Sequence, residues 1–232
     1  YAEPGLLETL YRVLTETRAD VSICGNEGLR LADGPARTYS PQEAARCLAR
    51  RGPFLWTAWG KLFPTELAKQ IPFDRQALCC EDLLFFYQVL KRVRRLTYVP
   101  APLYHYVCRP GSLVNHGVTK KRCRVLTLLE QICEDAAVCF PQAKACFGQV
   151  ALDTAARLAM QTIENGADMN TQGYLKWFRD HTRRQFSRQA LMLCPDYKSA
   201  AAQLALWTGI PVFKTLAAVY RRIAPISKRG ME

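Results

Sequence analysis

Two adjacent carboxylates, Glu81 and Asp82, stand where an apolar helical pattern begins, with Leu83, Leu84, Phe86, Tyr87 and Leu90 following. The first turn of a helix presents unpaired backbone N–H groups and the positive end of the helix dipole, which favour a negative charge. A carboxylate held there can take a proton from a hydroxyl nucleophile, an effect contributing ~10²–10⁴-fold to rate. Downstream, Arg109 and Ser112 share the turn Arg109-Pro110-Gly111-Ser112, where a guanidinium fork and a hydroxyl suit phosphate oxygens. Trp56 and Trp59 offer ring faces that can stack on a sugar. Each pattern also has a plain structural reading: capping for the acidic pair, a turn for the Arg-Pro-Gly-Ser run, core packing for the tryptophans.

The elements that must position these residues read as α/β. Leu6, Leu7, Leu10, Tyr11 and Leu14 predict a helix over Pro4–Thr17, with Glu3 at its positive end. A short apolar strand, Asp20–Gly25, comes next, and Leu29–Tyr39 reads as a hairpin around Asp33-Gly34. Ser40-Pro41-Gln42-Glu43 carries a capping-box pattern, so a helix is expected to about Arg50. Pro64–Gln70 and Glu81–Val93 read as helices, and Leu96–Val99 and Leu103–Cys108 as two strands separated by Pro100 and Pro102. Beyond Ser112 the composition changes, and helices are expected over 119–139, 142–164, 171–192 and 199–223. The expected division is therefore an α/β part, residues 1–115, and an all-helical region, residues 116–232.

Thirty-two Lys and Arg against 20 Asp and Glu give a net charge of +12, which favours anionic partners. No recognised nucleic-acid motif accompanies that charge, so nucleic acid is not an expected partner. The 10 cysteines include no CxxC pair and no zinc spacing, and they read as reduced, mostly buried small hydrophobes of a cytoplasmic protein. His105 and His116 read as surface or hydrogen-bonded histidines rather than metal ligands. No apolar run reaches the roughly 18 residues of a membrane span. Residues 203–229 are apolar around Trp207, Ile210, Val212, Phe213 and Leu216 and end in cations, which allows either a kinked packed helix or contact with an anionic membrane surface.

Residue order adds more. Trp59-Gly60-Lys61-Leu62-Phe63, then Glu81-Asp82, then Tyr104-x-Tyr106-x-x-Arg109-x-Gly111-Ser112 resembles the second half of family-2, A-type glycosyltransferases. In that family a Trp-Asn-Lys-Leu segment precedes the acidic pair. Gly60 here stands where asparagine is usual, and Val107 where a basic residue is common. Tyr1-Ala2-Glu3-Pro4 looks like the segment that follows the family's metal-binding aspartates, and Ala19–Gly25 like its next strand. The resemblance covers roughly residues 1–130. It implies the C-terminal portion of an A-type nucleotide-sugar glycosyltransferase fold, followed by the helical region and without the sugar-nucleotide half. It further implies Asp82 as general base with Glu81 beside it, Arg109 and Ser112 on the donor diphosphate, and Trp59 and Lys61 at the acceptor. A nucleotide-sugar donor and a glycan or lipid-linked acceptor follow as partners. The divalent cation implied for the intact enzyme, Mg or Mn, would have its aspartate ligands outside this sequence.

Overall fold

The computed structural model describes residues 1–26, 34–50, 52–53, 55–74, 80–107, 118–165 and 171–223. The α/β part contains α1 (Leu6–Thr17), β1 (Val21–Asn26), β2 (Arg37–Tyr39), α2 (Pro41–Ala49), β3 (Lys61–Leu62), α3 (Thr65–Lys69), α4 (Glu81–Leu90) and β4 (Leu96–Tyr104). Among the described residues the strands form one sheet in the order β2-β4-β1-β3. The central pair, β1 and β4, is parallel; β2 and β3 are antiparallel edges. Five of the six β1 residues are buried, as expected for a strand covered on both faces. Leu6 and Leu10 of α1 pack on Cys24 on one side, while Val21, Ile23, Leu96 and Tyr98 join the large core with α2 and α4.

The capping box forms as the sequence predicts. Glu43 N–H donates to Ser40 Oγ at 3.3 Å, and Ser40 N–H donates to Glu43 Oε2 at 2.8 Å. Hydrogen bonds from the Ser40 backbone and hydroxyl hold the Glu43 carboxyl below the usual carboxylate range. α1 begins later than Pro4 suggests, because residues 1–3 are held extended along the end of β4. Glu3 N–H donates to Leu103 O at 2.9 Å and His105 N–H to Tyr1 O at 2.8 Å. Glu3 therefore meets the buried His105 ring through a short contact to Nε2 instead of serving the helix end. The first half of the expected hairpin, 29–33, lies outside the described residues, and β2 pairs with β4 at Thr38 and Thr97.

The two strands expected around Pro100 and Pro102 are a single strand. The register runs Cys24↔Val99, Gly25↔Pro102, Asn26↔Tyr104, so Pro100 and Ala101 are accommodated in an irregularity opposite Gly25. Prolines cannot donate to a ladder, and a bulge removes the need for them to do so.

The remainder is helical: α5 (Lys120–Cys139), a 3-10 turn (Pro141–Ala143), α6 (Lys144–Asn165), α7 (Thr171–Gln185), α8 (Arg188–Met192), α9 (Tyr197–Thr208) and α10 (Ile210–Ile223). Two breaks interrupt the longer helices expected here. Ser187 caps α8 by accepting the Ala190 N–H at 3.0 Å. Arg183 donates to Trp207 O at 2.9 Å and Thr208 O at 3.0 Å, closing α9 before Gly209 and Pro211. The basic start of α5 is answered in part by Asp74, which Arg124 reaches at 3.0 Å.

One core joins this region to the α/β part, with Phe86 and Tyr87 of α4 buried in the same cluster as Leu126, Phe147, Phe178 and Phe213. Tyr87 also donates to Asp135 of α5 at 2.6 Å, and Lys91 reaches the same carboxylate at 2.8 Å. The boundary expected at 115/116 lies outside the described residues. Cys24, Cys133 and Cys146 are buried thiols, and burial pushes Cys133 up to about 12. Among the described residues no helix is long and apolar enough to cross a membrane.

His181 of α7 is fully buried, with Nδ1 2.9 Å from Glu130 Oε1, which Arg184 also holds at 2.8 Å. Its Nε2 is buried without a hydrogen-bond partner among the described residues. Burial lowers the imidazole below its ordinary value of 6.5, against the opposing influence of Glu130. The folded state therefore resists the proton that the unfolded chain accepts. Stability from this group is fully present above 6.5 and is lost as pH falls from there through the lowered value of the folded state. Thermal unfolding of the wild type and His181→Gln across this range should show a weaker acid dependence in the variant.

Candidate active site

The residues singled out by chemistry come from three elements at the carboxyl ends of β1 and β4, the usual end for ligands in open α/β sheets. Lys61 of β3 pairs with Ile23 of β1. Five residues separate the end of α4 from the start of β4, which turns the opposite end of α4, bearing Glu81 and Asp82, toward the carboxyl end of the sheet. Trp59 stacks on Tyr104 at 4.6 Å and 12°, and on Tyr106 at 5.7 Å and 20°. Tyr106 is 55% exposed, so these rings form a platform with an open edge.

The turn carrying Trp59 depends on Gly60. Its φ is +68°, a region open to glycine and, among other residues, best tolerated by asparagine. A Cβ there would lie 3.3 Å from Cys24 Sγ, and the Gly60 carbonyl accepts the Cys24 N–H at 2.9 Å. The turn at residue 60 therefore suits glycine, or asparagine, and few other residues.

Lys61 points inward. Its ammonium donates to Thr57 O and lies 4.9 Å from the centroid of the Phe86 ring. The residue is only partly buried, yet desolvation of its ammonium pulls it down to about 7, against the fields of Asp82 and Cys24. Burial pushes the Cys24 thiol up, with Lys61 opposing.

α4 opens on Cys80, whose φ of +66° is costly for a residue with a side chain, about 1–3 kcal/mol. Cys80 supplies no side-chain cap, so the first turn carries its own acids, Glu81 and Asp82. Glu81 Oε2 and Thr57 Oγ1 are buried without hydrogen-bond partners among the described residues. Buried orphan polar atoms are rare and concentrate where a protein does chemistry or binds.

The structure thus brings Trp59, Lys61 and the Glu81–Asp82 pair to one end of the sheet. Arg109 and Ser112 lie outside the described residues, as does His116. Thr57 and Cys24 belong to the cluster but were not apparent from the sequence, since only long-range pairing of β1 with the Gly60 turn places them there. Among the described residues no group of three or more His, Cys, Asp or Glu could hold a metal ion. The cation implied by the resemblance finds no ligand set among these residues.

These elements define a mixed α/β, mostly helical protein with a glycosyltransferase-like fold. The chain is similar to the crystal structure of S. aureus TarS 1-349 in complex with UDP-GlcNAc, with a TM-score of 0.60 and 15% sequence identity. The similarity covers 96% of this chain, helical region included, and 65% of that one, so this chain spans just under two thirds of its length. No family model matches the chain, and no curated protein matches it.

Proposed function

We propose that this chain is the acceptor-side part of an inverting, family-2-like A-type glycosyltransferase that moves a sugar from a nucleotide-sugar donor to a hydroxyl of a glycan or lipid-linked acceptor. Residues 1–115 contribute the site and residues 116–232 brace it. The observation that carries this reading is the gathering of Glu81, Asp82, Lys61 and the Trp59 platform at one end of the sheet, in a fold similar to that of UDP-GlcNAc-bound TarS.

Asp82 acts as general base on the acceptor hydroxyl. The resulting oxygen nucleophile attacks the anomeric carbon while the bond to the diphosphate breaks, and the nucleoside diphosphate departs with the electron pair. A single displacement inverts the anomeric centre. Glu81, with a buried carboxylate oxygen that has no partner among the described residues, accepts a hydrogen bond from an acceptor hydroxyl and orients it. Trp59 and its tyrosines carry the apolar face of the acceptor. Arg109 and Ser112 hold the diphosphate and stabilise the leaving group. Mg or Mn would neutralise the same phosphates, held by residues of the sugar-nucleotide half.

The test is transfer of a labelled sugar from a nucleotide-sugar donor by the protein as its cell produces it. The product anomer, read from its proton NMR coupling constant, should be inverted relative to the donor; a retained configuration overturns the mechanism. We further propose a cytoplasmic enzyme whose α10 rests on an anionic bilayer. Val212, Val219 and Tyr220 form an outer apolar stripe on that helix, flanked by Arg222 and by Lys198, which lies 6.0 Å from the Tyr220 ring centroid. Flotation with anionic vesicles should carry the protein upward, and flotation equal to that with zwitterionic vesicles excludes the contact.

A further inference from the structure

Lysine side chains at acceptor sites ordinarily extend toward solvent, where their charge stays hydrated. Lys61 does the reverse. Its ammonium is held by the Thr57 carbonyl of its own turn and sits over the ring of Phe86. Phe86 lies four residues after Asp82 on α4, and residues at that spacing share one helix face. The ammonium therefore sits on the Asp82 face of α4 while anchored to the turn that carries Trp59.

We propose that Lys61 is a positioning residue: it ties the Trp59 turn to α4 and is the buried counter-charge of Asp82. Among the described residues, the titratable groups facing it are Asp82 from α4 and the Cys24 thiol from β1. Asp82 favours the charged lysine against the desolvation that opposes it, and the lysine is charged on the acid side of about 7 and neutral above it. Above that point Asp82 loses its counter-charge and α4 loses the cation held over its Phe86 ring. In the transferase reading, on which this role rests, the turnover rate should fall on the alkaline side of that titration.

The decisive measurement needs no substrate. The chain labelled with [ε-13C]lysine is titrated by NMR, and the Lys61 signal is identified by its absence in Lys61→Met or, should that variant not fold, in Lys61→Arg. Asp82→Asn should lower the proton affinity of Lys61 by roughly tenfold or more, because an opposite charge has been removed. Cys24→Ser should lower it by less. An unchanged Lys61 midpoint in Asp82→Asn overturns the proposal, whether or not the protein transfers sugar. In the transfer assay Lys61→Arg, which stays charged, should abolish the alkaline fall in turnover without changing donor KM. Persistence of that fall in Lys61→Arg would equally overturn the proposal, whereas loss of transfer in every variant with an intact titration would count only against the transferase reading.

Discussion

Replacing Asp82 with Asn is expected to lower sugar transfer by ~10²–10⁴-fold while donor binding survives. Asparagine has the size of aspartate and can still accept a hydrogen bond, but it cannot take the acceptor proton. The loss should therefore appear in the turnover rate with little change in donor KM. Asp82 occupies the first turn of a helix whose other end is fixed, since α4 is buried in the common core and Tyr87 is tied to Asp135. A one-atom change in its half-buried first turn should leave that scaffold intact. The measurement is steady-state kinetics beside donor binding by calorimetry. Loss of donor affinity instead would move Asp82 from the acceptor to the donor and remove it as base.

The second large effect is on stability. Gly25→Ala places a Cβ 2.7 Å from Pro100 O and 3.1 Å from Ala101 O. Both obstacles are backbone, in the central parallel pair of the sheet, and neither can rotate away as a side chain would. Overpacking of this kind costs about 1–3 kcal/mol or more, and each kcal/mol lowers Tm by roughly 2–4 °C in a chain of this size. Gly34→Ala is the control, because no atom of the described residues lies within 4 Å of a Cβ there. Thermal unfolding of the two variants should separate them clearly. A Gly25→Ala protein as stable as Gly34→Ala would mean that β1 and β4 do not approach as closely as described. The same close approach holds the β4 end that carries Tyr104, so residual activity of the variant should fall along with its stability.

Local patterns were legible because their causes are local. Ser40 and Glu43 satisfy each other within one helical turn, and the start of α4 is marked by its own acids and the apolar residues after them. The resemblance to the second half of glycosyltransferases was carried by residues in sequence order, and the fold comparison supports it at the level of overall fold. The break at Ser187 was missed because helix propensity on either side is strong, although its cap to Ala190 is local. The interruption at Gly209-Pro211 was legible, and Arg183 of α7 closes α9 just before it. The continuity of β4 through two prolines was missed for a non-local reason. It depends on the glycine opposite, in a strand far away in sequence.

The sequence by itself determined which residues could do chemistry and the helices or turns that begin beside them, since capping, periodicity and a carboxylate at a helix start act within a few residues. Only the tertiary structure decided which of those residues meet. The inward turn of Lys61, the burial of a Glu81 oxygen and the stacking of Trp59 on Tyr104 all arise where β3, α4 and β4 converge. Desolvation and field depend on every atom nearby regardless of chain distance. A lysine that the resemblance puts at the acceptor therefore becomes, once folded, a desolvated cation over the Phe86 ring and within the field of Asp82.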